Sequence, residues 1–155
     1  MQPRFEIIIA DSSSIIVLHE TDLLYLLHEI YPQVTITPQV AGEIKIALPD
    51  WMNISAPFDQ QMVSALLKDL DEGEASSIAL ALEHRNSLLA IDEKDGRKVA
   101  ASFNIPIIGT LAVLLEAKQK RLVDSFKECL DKLLNKGFRV SPQLIEKFLI
   151  ESGEE

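Results

Sequence analysis

Two rhythms of apolar residues run along this chain. Short apolar runs rich in β-branched and aliphatic side chains occur at residues 5–10, 34–37, 87–91 and 105–108. Runs of this kind read as strands buried within a sheet. Between them, apolar positions recur three and four residues apart, the spacing of one helix face. Leu23, Leu26, Leu27, Ile30 and Tyr31 form such a stripe behind Thr21 as its expected cap, and Pro32 ends it. Pro38 falls at the first turn of the next helix, whose stripe is Val40, Ile44, Ala47 and Leu48, with Pro49 as its stop.

The remaining segments follow the same logic. Asp11-Ser12-Ser13-Ser14 consists of helix-starting residues ahead of a short helix at 15–18. Residues 50–57 read as a loop with at most one short strand, and 58–70 as a helix. Asp71-Glu72-Gly73-Glu74 opens a helix bearing Ala75, Ile78, Ala79 and Leu82. A helix over 94–103 follows the 87–91 strand, and Gly109-Thr110 closes the last strand. Three helices are expected near 111–119, 122–134 and 142–151, and residues 151–155 are expected to fray. Strands separated by helices predict an α/β fold of three layers, a central mostly parallel sheet of four to five short strands flanked by helices. There is no internal repeat, and residues 1–150 read as a single domain.

Composition narrows the chemistry. A chain of 155 residues can bury a core without disulfides or a structural metal. The single cysteine, Cys129, excludes a disulfide framework and a cysteine-rich zinc site, and it fits a reducing cytoplasm. His19, His28 and His84 lack metal-binding spacing and read as structural. The apolar run at 111–115 is far too short to span a bilayer, and the first ten residues read as a strand rather than a signal peptide. No membrane partner is expected, and Asn53-Ile54-Ser55, though a glycosylation sequon, has no secretory signal to give it meaning.

Fifteen basic against 24 acidic residues give a formal charge of −9, which argues against simple coating of a polyanion. The charge is uneven. Residues 1–93 hold four bases and fifteen acids, whereas 94–155 hold eleven bases and nine acids. Lys94, Arg97, Lys98, Lys118, Lys120 and Arg121 gather around the 92–97 segment and the helix after Thr110, where they either contact phosphates or form ordinary solvated faces. The 6% aromatic content offers no base-stacking platform.

Parallel sheets carry function at the carboxyl ends of their strands. Asp11 and Asp92 fall there directly. Glu43 borders the apolar stripe of its helix, Glu74 lies in the first turn of another, and Asp95 follows Asp92 closely, so all can lean toward one place. Each also has a structural reading: Asp11 as a helix cap, Glu43 as an edge residue, Asp71-x-x-Glu74 as a capping box, and Asp92 and Asp95 as turn residues. Clustered carboxylates raise one another's pKa unless a cation neutralises them, and all-oxygen ligation selects Mg²⁺ or Mn²⁺ over zinc. Lys94 breaks the ligand spacing of a calcium loop. No G-x-G-x-x-G, P-loop or G-x-S-x-G motif is present, and Ser12, Ser13 and Ser14 have no neighbouring histidine.

In order, these residues resemble the PIN-domain family of metal-dependent ribonucleases over nearly the whole chain. The motifs are Asp11-Ser12-Ser13, Val40-x-x-Glu43, Asp71-x-Gly73-Glu74-Ala75-x-x-Ile78-Ala79-Leu80-Ala81 and Ile91-Asp92-Glu93-Lys94-Asp95-Gly96-Arg97. Gly109-Thr110, Ala117-Lys118 and Gly137-Phe138-Arg139-x-Ser141-Pro142 are similar to a subgroup of small prokaryotic PIN-like proteins. Glu74 stands where many toxin-type members have aspartate. The resemblance implies that Asp11, Glu43, Glu74 and Asp92 are catalytic and, with Asp95, hold one or two Mg²⁺ or Mn²⁺ ions. It implies phosphodiester hydrolysis of RNA to a 5′-phosphate and a 3′-hydroxyl, with Ser13, Arg97, Lys98 and Thr110 toward the substrate. It further implies a homodimer and an antitoxin-like inhibitory protein.

Two rivals have distinct signatures. A non-catalytic PIN-like module would bind RNA or a protein partner without cutting. A phosphoacceptor receiver domain needs an acidic pair after the first strand and a late Lys-Pro. Asp11 stands alone and Ile105-Pro106 lacks the lysine.

Overall fold

The computed structural model describes residues 5–154. Its strands are β1 (Ile7–Ala10), β2 (Gln33–Ile36), β3 (Met52–Ile54), β4 (Ser87–Ala90) and β5 (Ile107–Ile108). Its helices are α1 (Ser12–Glu20), α2 (Tyr25–Ile30), α3 (Pro38–Glu43), α4 (Gln60–Leu66) and α5 (Glu72–Glu83), then α6 (Lys94–Ser102), α7 (Thr110–Gln119), α8 (Phe126–Asn135) and α9 (Pro142–Ser152).

The strands pair in the order β3-β2-β1-β4-β5, all parallel. Successive side chains on a strand face opposite ways, and β1 shows the consequence. Ile8 and Ala10 join one apolar cluster with Leu18, Leu26, Leu114 and Phe126, while Ile9 joins a second with Ile78, Leu89 and Ala100. Helices therefore cover both faces, as expected for a parallel sheet that leaves neither face wet.

The chain lays β2 and β3 on one side of β1, then crosses to place β4 and β5 on the other. The switch lies between β1 and β4, paired from Ile7↔Ser87 to Ala10↔Ala90. A crevice opens at such a switch because successive connections leave in opposite directions from the carboxyl ends of adjacent strands. Asp11 emerges there, its backbone N–H bonded to the Ala90 carbonyl at 3.0 Å.

Four local expectations change. Thr21 does not start α2; its hydroxyl donates back to the Val17 carbonyl at 2.8 Å and helps end α1. Asp22, with φ 59°, turns the chain before α2 begins at Tyr25. The third helix stops at Glu43 because Ile44 is extended (φ −90°, ψ 135°), so Ala47 and Leu48 lie beyond it. Helix α8 starts at Phe126, after Arg121 (φ 62°), with Ser125 as its cap. Of the tail expected to fray, residues 151–154 are held and Glu155 lies outside the described residues: α9 runs to Ser152, and Glu154 accepts bonds from Ser125 Oγ (2.6 Å) and the backbone N–H groups of Phe126 (2.7 Å) and Lys127 (3.2 Å). Among the described residues, no helix is long and apolar enough to cross a membrane.

Candidate active site

Asp11 occupies the cap position of α1 but makes no side-chain capping bond. It is only 3% exposed, and its Oδ1 has no hydrogen-bond partner. Burial pushes its carboxyl up to about 7. The Ser12 backbone N–H pulls the other way, while the charges of Glu74, Asp71 and Glu43 add to the rise. The capping reading of Asp11 therefore fails. Its side chain is a buried acid facing other acids.

Glu43 reaches the same neighbourhood by two devices. Thr37 caps α3, accepting from the Val40 N–H at 3.2 Å, and its hydroxyl meets Ser76 Oγ of α5 at 2.7 Å. That contact docks the helix bearing Glu43 on the helix bearing Glu74. Gly73 then leaves room: a Cβ there would fall 2.6 Å from Glu43 Oε1. Glu43 thus ends α3, where a helix disfavours negative charge, but rests against the first turn of α5, where one is favoured. Ser12 Oγ donates to Glu43 Oε2 at 2.6 Å.

Glu74 has a double role. Its Oε1 accepts from the Asp71 N–H at 3.2 Å, and Asp71 Oδ1 accepts from the Glu74 N–H at 2.8 Å, so the capping box is real. Its Oε2 points the other way, 3.1 Å from where a side chain on Gly96 would begin. Burial raises the Glu74 carboxyl, the Asp71 N–H lowers it, and the charges of Asp71 and Glu93 raise it again.

Asp92 is held differently. The Thr110 N–H donates to Oδ1 at 2.9 Å, the Thr110 hydroxyl to Oδ2 at 2.5 Å and Ser14 Oγ to Oδ2 at 3.3 Å. Thr110 is fully buried, and both its N–H and its hydroxyl donate to Asp92. The sequence put both residues at strand ends, but nothing in it marked their bond or the part of Ser14. Asp95 is exposed in the first turn of α6, and its carboxylate joins none of these contacts. Lys98 is exposed on the same helix.

Ser13 and Arg97 face a cleft of about 940 Å³ that opens beside Asp92. Ser13 Oγ is buried without a partner. Arg97 Nη1 and Asp92 Oδ1 flank Gly109, 3.0 and 3.1 Å from where its side chain would begin. Among the described residues, no group of three or more His, Cys, Asp or Glu side chains stands close enough to enclose a metal ion. The donor set still suits a hard divalent cation. It is all oxygen, it includes one unpaired buried carboxylate oxygen, and Mg²⁺ is commonly held by one or two carboxylates while keeping several waters.

A doubly wound parallel sheet with buried carboxylates at its switch point defines an α/β protein with an acidic strand-end site. The chain belongs to the PIN-domain family: a family model described as a PIN domain matches residues 7–154. PIN domains are generally nucleases, and they usually use divalent metals. Among curated proteins, none matches the chain significantly.

Proposed function

We propose that this protein is a divalent-metal-dependent endoribonuclease that hydrolyses RNA phosphodiester bonds at the β1–β4 switch point. The observation that carries the reading is Asp11, a buried carboxyl with an unpaired oxygen under the charges of Glu74 and Glu43. A fold gains nothing in stability from such a group. A bound cation would reverse that balance.

Asp11, Glu43 and Glu74 would hold Mg²⁺ or Mn²⁺, directly or through water, with Asp92 beside them. A bound divalent ion supplies a water of lowered pKa and stabilises charge developing on phosphate oxygens. The chain's own residues do the rest. Ser12 orients Glu43, and Thr110 and Ser14 orient Asp92. Arg97 lines the cleft beside Asp92, where a phosphate bound there would meet it. The antitoxin-like partner, the homodimer and a cytoplasmic location rest on the resemblance and on composition.

The test is cleavage of single-stranded and structured RNAs with and without Mg²⁺ or Mn²⁺, comparing wild type with Asp11→Asn and Asp92→Asn. Metal-dependent cleavage lost in both variants supports the reading. Metal-independent cleavage, or full activity in the variants, overturns it. RNA binding without cleavage under any metal favours the non-catalytic module.

A further inference from the structure

The cleft beside Asp92 does not end at the acids. It runs along α1 and the start of α7 to a far wall made by the α8–α9 turn and α9 itself. That wall carries Lys136, Arg139 and Lys147, all exposed. Together with Arg97 on the near side, none of these cations makes a salt bridge or side-chain hydrogen bond among the described residues. Lys118, grouped by sequence with the basic cluster, is instead tied to Glu154 at 3.1 Å and to the Asp124 carbonyl at 2.8 Å. Besides Arg97, the available positive charge of the cleft therefore lies on the 136–147 segment.

The wall is preformed. Gly137 takes a left-handed conformation (φ 87°) that ends α8. Its N–H bonds to the Leu134 carbonyl at 3.0 Å, and the Phe138 N–H bonds to the Leu133 carbonyl at 3.1 Å. This is the paired closure that fixes a helix C-terminus. Phe148 of α9 stacks on buried Phe126 at 6.0 Å, and Glu154 ties the end of α9 to the start of α8.

We propose that this cleft is the track for a single RNA strand flanking the cut phosphate, with Arg139 and Lys147 on phosphates of the flank. The proposal rests on the ribonuclease reading of the acidic site. Three features select the occupant. On the wall Lys136, Arg139 and Lys147 outnumber Glu151, an excess of unpaired cations that suits a polyanion, while Glu20, Asp92 and Glu93 line the rest of the cleft with Arg97. The cleft meets the acidic site at Asp92, the one of the four site acids that lines it, which puts one phosphate beside Asp92 and others on the wall. The floor and sides are also apolar, with Ile16, Leu111, Phe138 and Val140. Unpaired bases can lay their faces on such surface, whereas a duplex keeps its base faces stacked inside and presents backbone, 2′-hydroxyls and base edges.

The experiment reverses two wall charges, Arg139→Glu with Lys147→Glu, against a control of the same charge change outside the cleft, Lys127→Glu with Lys132→Glu. Binding of a fluorescent single-stranded oligoribonucleotide and steady-state cleavage are followed from 50 to 300 mM salt at fixed Mn²⁺, with thermal melting to check folding. The wall variant should weaken Kd and KM about tenfold or more, keep kcat within about twofold, and flatten the log Kd–log salt slope by about 1.4. The control should change each far less, and a duplex of the same sequence should compete poorly. Equal loss in the control, or an unchanged salt slope, overturns the track and leaves the nuclease reading standing. Unchanged RNA affinity with lost binding of an oligoglutamate peptide would make the cleft a protein-docking site and also overturns it. Wild type that neither binds nor cuts RNA overturns both readings together.

Discussion

Replacing Asp11 with asparagine removes a buried titrating group from the carboxyl end of β1 without changing its size. In the folded protein this carboxyl is held at about 7 against an ordinary 3.8, with burial as the main cause. The sign follows from proton linkage. Between those values the folded chain binds more protons than the unfolded one, so stability falls as pH rises from about 4 to about 7 and is flat above. A difference of about three pKa units corresponds to on the order of 4 kcal/mol, at about 1.4 kcal/mol each. For a chain of this size that is roughly 8–16 °C in Tm.

The asparagine carries its own penalty, because its amide finds no partner where Oδ1 has none. That penalty is independent of pH and cancels when each protein is compared with itself. The measurement is therefore Tm of metal-free wild type and Asp11→Asn from pH 4 to 8.5. Wild type should lose several degrees more than the variant across that range. Adding Mn²⁺ at pH 8 at about 100 times its Kd should restore roughly 2.7 kcal/mol to wild type and much less to the variant. Parallel pH profiles would refute the buried-acid argument, and equal Mn²⁺ shifts would refute Asp11 as a ligand.

Other expectations follow from individual contacts. Thr110→Val keeps the shape but removes the hydroxyl donor to Asp92. Denaturant unfolding should show a loss of about 1.5–3 kcal/mol, which Thr110→Ser largely spares. Gly73→Ala puts a methyl 2.6 Å from Glu43 Oε1, so it should lower RNA cleavage sharply. In a Glu43→Ala background the same change should be neutral or stabilise by about 0.5–1 kcal/mol, since alanine is the better helix former. Glu154→Gln should destabilise by about 1 kcal/mol, the usual worth of a cap. Burial raises the Glu154 carboxyl, but bonds from Ser125, Phe126, Lys127 and Lys118 outweigh it and hold it at about 2. Its contribution is present above the ordinary glutamate range and is lost as pH falls from about 4.5 toward 2, so wild type and variant melts should converge in acid.

What could be read from sequence was what is local. Asp11 and Asp92 directly follow runs whose composition marks them as strands, so topology alone brings them to one end of the sheet. The capping box of Asp71 and Glu74 was visible in its spacing, and it forms. Helix boundaries were harder, because apolar periodicity continues past the point where the backbone changes direction. Ile44 keeps the stripe of α3 while leaving its helix. Contacts between distant segments left no local trace. Glu43 against Gly73 spans thirty residues, and the bond from Thr110 to Asp92 looks in sequence like an unused cap. The wall of the cleft was hidden for the same reason, since Arg139 and Arg97 meet one space only after α9 folds back.

The division of charge in the sequence then has a spatial meaning. The acid-rich first 93 residues supply Asp11, Glu43, Glu74 and Asp92, and the base-rich remainder supplies Arg97, Arg139 and Lys147. The four acids are not equivalent. Asp92 has a donor on each oxygen, so its surroundings already offset its charge. Asp11 has an oxygen with none. A cation entering this site therefore gains most at Asp11, and removing Asp92 should disturb geometry more than affinity. Asp92→Asn should accordingly keep more Mn²⁺-induced stabilisation than Asp11→Asn, even where both lose cleavage. Equal loss of Mn²⁺ stabilisation in the two variants would place the ion between both carboxylates and reject this ranking.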